Sequence, residues 1–193
     1  MKMVWFCAAI CTMMLPVGGC GRSHHKSVPP IVAMTEDGSP FPAWLAGRWK
    51  ADRHGWELVF EPDGRIVSAV LSLGRVAVRP GQTTTRQTKE SEQAVFTPGP
   101  WVVHYDPATS LLTVKIDMEH IRVPMGDNVL EGSSTDTFCG PLSPTMNAWQ
   151  VQWTTFPHYT ARTSEGKSVA LATDEACGQA QPLVFVKTPD PSR

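Results

Sequence analysis

From about residue 47 onward, apolar and polar side chains alternate with a period of two. Trp56, Leu58 and Phe60 fall on one face of a short run and Glu57 on the other. Leu112, Val114, Ile116 and Met118 share a face, with Thr113, Lys115 and Asp117 opposite, and Trp149-Gln150-Val151-Gln152-Trp153-Thr154 repeats the pattern. Successive side chains of a strand point to opposite faces, so each run predicts a half-buried strand. Gly47 to Lys50, Trp101 to Tyr105, Val169 to Ala172 and Leu183 to Val186 predict further strands, and Asn128 to Cys139 a mostly polar one. Ile66 to Val78 is β-branched and apolar but interrupted by Gly74, which predicts a bulge or bend. Ile121 and Val123 are out of phase with the Leu112 to Met118 face, which predicts a bulge near Glu119-His120. Pro62-Asp63-Gly64 is a turn: Pro presets φ and Gly accepts a positive φ. Asp106 to Ser110 is a second turn, and the polar stretch Gly81 to Gln93 predicts an exposed loop or long hairpin tip. No stretch sustains a capped 3.6-residue apolar period, so helix is expected only as a single turn near Trp44. The expected class is all-β, a single antiparallel β-barrel or a β-sandwich of about eight strands over residues 43–188, with a frayed tail at 189–193.

The first residues do not fit that pattern. Lys2 precedes an uncharged apolar run, Val4 to Val17. A bilayer span needs about 20 apolar residues, so the run reads as a cleaved export signal. It ends in Val17-Gly18-Gly19-Cys20, which resembles the lipobox of bacterial lipoproteins. That resemblance implies removal of residues 1–19, lipidation of Cys20 by a thioether-linked diacylglycerol and usually an amide-linked acyl chain, and anchoring to a membrane of the cell envelope. Two or more chains hold stably where one is marginal. Gly21 follows the cysteine, not an Asp that would direct inner-membrane retention, so the periplasmic side of the outer membrane is expected. Residues 20–42, with Pro29-Pro30 and Pro40, read as a Pro-rich tether. His24-His25 lies in it as solvated linker.

Charge and cysteine usage narrow the function. Seventeen Lys and Arg against 18 Asp and Glu give a net charge of -1, which offers no clustered basic face for nucleic acid. Cys7 and Cys11 leave with the signal and Cys20 is used for lipid. Cys139 and Cys177 remain as a disulfide candidate in an oxidising compartment, the alternative being two separate buried thiols. No His or Cys stands at ligand spacing near either, so no metal is expected. No cofactor is expected either: the chain has no phosphate-cradling Gly-rich loop, no His-Glu-x-x-His pair and no Gly-x-Ser-x-Gly elbow.

The best binding candidates are aromatic. Trp149 and Trp153 share a face with Val151, and Phe156, His158 and Tyr159 follow at once. Such rings offer flat apolar walls with polar tips for an apolar or sugar-like ligand; the competing reading places both Trp in the core. Glu119-His120 has the composition of an acid/base pair, but adjacent strand residues face opposite ways unless the bulge re-aims one. Asp136, within Ser133-Ser134-Thr135-Asp136-Thr137, reads as part of a solvated strand face, and His54 as an exposed turn residue.

Leu45-Ala46-Gly47-Arg48-Trp49 resembles the Gly-x-Trp signature on the first strand of lipocalin-like β-barrels, and Thr135-Asp136 resembles that family's Thr-Asp motif, though Thr137-Phe138 departs from it. The resemblance implies a barrel with Trp49 plugging one end beneath Lys187, which stands in place of the usual Arg, and an interior for one small apolar ligand. The expected function is that of a membrane-anchored, non-enzymatic envelope lipoprotein binding a small apolar ligand or a partner protein. The alternatives are a structural or assembly accessory protein with no pocket, and a hydrolase with a scattered site.

Overall fold

The computed structural model describes residues 30–88, 91–163, 166–170 and 178–189. They form twelve strands in one sheet: β1 (Ile31–Thr35), β2 (Gly47–Ala51), β3 (Glu57–Phe60), β4 (Ile66–Val70), β5 (Ala77–Val78), β6 (Thr84–Gln87), β7 (Gln93–Asp106), β8 (Leu111–Met125), β9 (Asn128–Ser143), β10 (Ala148–Thr163), β11 (Ser168–Ala170) and β12 (Gln181–Lys187). The only helical pieces among them are single 3-10 turns, Ala43–Leu45 and Pro144–Met146. The all-β expectation is met. Twelve strands appear where about eight were expected: β1 lies in the stretch read as tether, β6 in the polar stretch read as a loop or hairpin tip, and the Ile66 to Val78 run divides into β4 and β5.

The sheet runs β1-β7-β8-β9-β10-β12-β2-β3-β4-β5, with β6 on β7 and β11 on β10. It is therefore a meander that curls until β12, the last strand, pairs antiparallel with β2. The curl stays open between β5 and β1, the two ends of that order. β1 lies parallel to β7, Ile31 opposite Trp101 and Thr35 opposite Tyr105. Part of the stretch expected to be tether thus belongs to the β-structure. Its Ile-Val-Ala-Met-Thr run is short, β-prone and finds a partner in the outer edge of β7. Any tether is confined to residues before Pro30, which lie outside the described residues, as do the export signal, Cys20 and Leu171-Ala172 of the strand expected at Val169. Phe41 spans the open seam: its ring packs on the turn at Gly64 and stands 6.2 Å from the Tyr105 ring. Gly64 has φ +82°, and a Cβ there would lie 2.5 Å from the Phe41 ring. Glycine is thus required for both turn and contact.

The expected turns and irregularities are present. Gly64 N–H donates to Glu61 O at 3.0 Å in the Pro62-Asp63-Gly64 turn. Gly74, at φ +66°, sits in the turn that divides Ile66–Val78 into β4 and β5. The register of β8 against both neighbours shifts between Met118 and Ile121, which restores Ile121 to the inner face. Polar Gly81 to Gln93 contains β6, which pairs back on β7 as one side of a hairpin.

The inner face is a single apolar core of aromatic rings. Trp49, Trp56, Trp101, Trp149, Phe138 and Phe185 are all essentially inaccessible. Phe138 is their hub, with its centroid 5.0 Å from Trp56, 5.5 Å from Phe185 and stacked at 6.4 Å on Trp153. Offset and edge-on pairs of this kind add about 0.5–1.5 kcal/mol each to the burial of their area.

Register fixes which end of the open half-barrel each residue occupies. Lys187, Trp49 and Leu58 are aligned across β12, β2 and β3, at the end where the chain enters β2. There Trp49 Nε1 donates to Leu45 O at 2.8 Å, and Lys187 Nζ donates to Trp44 O at 2.5 Å while its Cε lies over Gly47. Trp153, opposite Gln181, and the short turns after Ala51 and Val70 mark the other end.

Candidate functional site

β8, β9 and β10 run well past the turns that end β2 and β4, so at the end remote from Trp49 one wall of the curl overhangs the other. Under the overhang is a cavity of about 460 Å³ lined by His54, Trp56, Leu71, Ser72, Leu73, Ile121, Ser134, Asp136, Trp153, Thr155, Pro157 and Tyr159. Two walls are set by strand periodicity. Ser134 and Asp136 continue the inward face of β9 that carries Phe138, and Thr155, Pro157 and Tyr159 continue the inward face of β10 that carries Trp153. The third wall is Trp56 at the start of β3, with Leu71 to Leu73 from the β4–β5 turn. His54, exposed in the β2–β3 turn and at φ 59°, lays its ring 4.9 Å from that of Trp153.

Asp136 is the unusual group. It is 5 % exposed. Oδ1 accepts from Trp153 Nε1 at 2.9 Å, and Ser134 Oγ stands 3.5 Å from Oδ2. Burial pushes its pKa up to about 6; the Trp153, Thr155 and Ser134 hydrogen bonds pull the other way, and the negative charge of Asp117 adds to the rise. Asp117 faces outward, held by Lys115 Nζ at 2.9 Å and Thr135 Oγ1 at 2.7 Å. Tyr159, in hydrogen-bond contact with Ser134, has its phenol raised by the same burial and by Asp136. The cavity is an apolar, aromatic chamber with one polar corner. Charged groups buried this way are normally paired or neutralised.

The expected aromatic site is divided by the structure. Trp153 and Tyr159 line the cavity. Trp149 does not: it is fully buried towards the Trp49 end, its Nε1 donating to Gly140 O at 3.0 Å, so for it the core reading holds. His158 is on the exposed outer face of β10, one residue out of phase with Tyr159. Asp136 is the reverse case. The flanking Ser and Thr residues suggest a solvated strand, but Asp136 shares the inward phase of Phe138, and extending that phase by two residues is the signal that finds it. The bulge turns Glu119 and His120 together to the outside, where His120 Nε2 lies 4.0 Å from Glu131 Oε1. Cys139 also faces outward from the core, its Sγ accepting from Thr113 Oγ1 at 3.3 Å; its candidate partner Cys177 lies outside the described residues. Among the described residues no group of three or more His, Cys, Asp or Glu is placed to hold a metal ion.

No protein-family model, curated protein or solved structure matches the chain.

Proposed function

We propose that this chain is an exported, lipid-anchored protein of the bacterial envelope whose β domain binds a small, largely apolar ligand without chemical turnover. The observation that carries the binding role is the cavity under the β8–β10 overhang, walled by Trp56, Leu71, Leu73, Ile121, Trp153 and Pro157. It has the size and lining of a small-ligand site: mostly apolar walls with few, localised polar groups. Three features support the lipocalin-like reading: a meander whose last strand returns to β2, Trp49 sealing one end with Lys187 across it, and a cavity at the other end. The anchor rests on Val17-Gly18-Gly19-Cys20.

Two results test the proposal. In a bacterial host fed labelled palmitate, the wild-type chain should take up label and Cys20→Ser should take up none; equal labelling would remove the anchor. Native mass spectrometry of the gently purified protein should show a mass excess over the lipidated polypeptide that disappears on denaturation. A bare mass would favour the structural or assembly role, with a protein as partner.

A further inference from the structure

Asp136 raises a problem of charge that its own surroundings do not solve. The carboxyl is almost fully enclosed, yet among the described residues no cationic side chain pairs with it, and the charge acting on it is the negative one of Asp117. Its hydrogen bonds come from Trp153 Nε1 and the hydroxyls of Ser134 and Thr155. These are neutral donors, which leave a net negative charge inside an apolar chamber at neutral pH. A second wall residue is also polar and unanswered: Trp56 is 1 % exposed and its Nε1 has no hydrogen-bond partner. The rings of Trp153, Tyr159 and His54 also line the chamber, beside the aliphatic side chains of Leu71, Leu73 and Ile121. Aromatic rings beside a carboxylate attract one class of small molecule, since the ring quadrupole and the carboxylate act on a cation with the same sign.

We infer that the ligand of this cavity is a small organic cation, a protonated amine on an apolar body, whose ammonium group pairs with Asp136 between the Trp153 and Tyr159 rings. This rests on the cavity being the binding site proposed above. The other ionisable side chains lining the cavity are Tyr159 on β10 and His54 on the β2–β3 turn, and Asp117 on β8 acts on Asp136 through its charge from the outer face. Below about pH 6 protonation of Asp136 removes the attraction, so amine binding weakens as the medium is acidified.

The test uses the full lipidated chain in phospholipid nanodiscs, with empty nanodiscs as blank, and two probes of equal size: 2-phenylethylamine and 2-phenylethanol. At pH 7.5 titration calorimetry should give the amine at least about tenfold tighter binding than the alcohol, the scale of one charge-assisted hydrogen bond. That preference should vanish in Asp136→Asn and shrink at pH 5, while alcohol binding persists in both. Equal binding of the two probes, or an amine preference that survives in Asp136→Asn, overturns the cation inference and leaves the cavity as an apolar site. Binding of neither probe overturns the inference, and a bare native mass alongside it removes the ligand-binding reading too. A cooperative melt of Asp136→Asn establishes that loss of binding is not loss of fold.

Discussion

Gly140→Ala is expected to cost at least about 3 kcal/mol of stability, enough to prevent folding in a domain of ordinary marginal stability. Gly140 lies on the inward face of β9, two residues from Phe138, and its carbonyl accepts the indole N–H of Trp149. The neighbouring strand β10 crosses so close that a Cβ on Gly140 would lie 1.8 Å from Gln150 O and 2.8 Å from its carbonyl carbon. The obstruction is main chain in the middle of a paired strand, so no rotamer change relieves it. Relief needs β9 and β10 to part beneath Trp149 and Phe138, which opens the most densely packed part of the core. Overpacking relieved by side-chain shifts typically costs about 1–3 kcal/mol; a backbone obstruction should exceed that range. Gly99→Ala is the control. Gly99 is also in a long strand, but its nearest neighbour would be the Asp117 Cβ at 3.3 Å, a contact that a small shift absorbs, and its loss should stay below about 1 kcal/mol. Urea denaturation followed by tryptophan fluorescence measures both. A Gly140→Ala midpoint equal to that of Gly99→Ala would show that β9 and β10 do not approach as described.

The contrast between those two glycines shows where the sequence is legible and where it stops. Alternation is a local property, written in four or five residues, so Trp56-Leu58-Phe60 and Leu112 to Met118 disclose their strands and inner faces directly. Phase errors are equally local: the mismatch between Met118 and Ile121 marks the β8 bulge without any knowledge of its neighbours. What the sequence conceals is pairing. Ile31 to Thr35 joins the sheet only because β7 offers a free edge to it, and Gly140 is constrained by Gln150 on another strand. The candidate site is hidden for the same reason. Trp153 and Tyr159 can be read from aromatic clustering, and Trp149 and His158 fall into the same cluster because they are near in sequence. Near neighbours on a strand are separated by face and by depth: His158 lies on the wrong face, and Trp149 lies too far towards the Trp49 end. Asp136, on β9, becomes part of the site only through its pairing opposite Thr155. Trp56 and His54 reach it from across the curled sheet, which no local pattern discloses.

Asp136→Asn is the second change with a large expected effect, and its direction is opposite: the variant should be more stable than the wild type at neutral and alkaline pH. The folded-state pKa of Asp136 is about 6 against 3.8 for the free side chain. Between those two values the folded protein holds a proton that the unfolded chain has released, so stability falls as pH rises through the window. The favourable contribution is complete below about pH 4 and gone above the folded value. A rise of that size corresponds to on the order of 3 kcal/mol, and the near-complete burial of the group leaves little solvent screening to reduce it. Asparagine carries no charge to bury and its carbonyl can still accept from Trp153 Nε1. Its amide must satisfy two N–H groups near Ser134 and Thr155, which offsets part of the gain. The expected result is therefore nearly equal stability of the two proteins at pH 4 and a gap that opens to about 2–3 kcal/mol by pH 7.5. Other polar pairs, such as His104 with Glu36 at 2.7 Å, are common to both proteins and cancel in the difference. Denaturant midpoints at a series of pH values measure that gap, and a difference independent of pH would place Asp136 in contact with solvent. A carboxylate that weakens the empty fold at neutral pH, and whose removal strengthens it, is a poor structural element. Its cost is intelligible if a cationic ligand supplies the charge that the protein leaves out, in which case the variant that gains stability is the one that loses the amine.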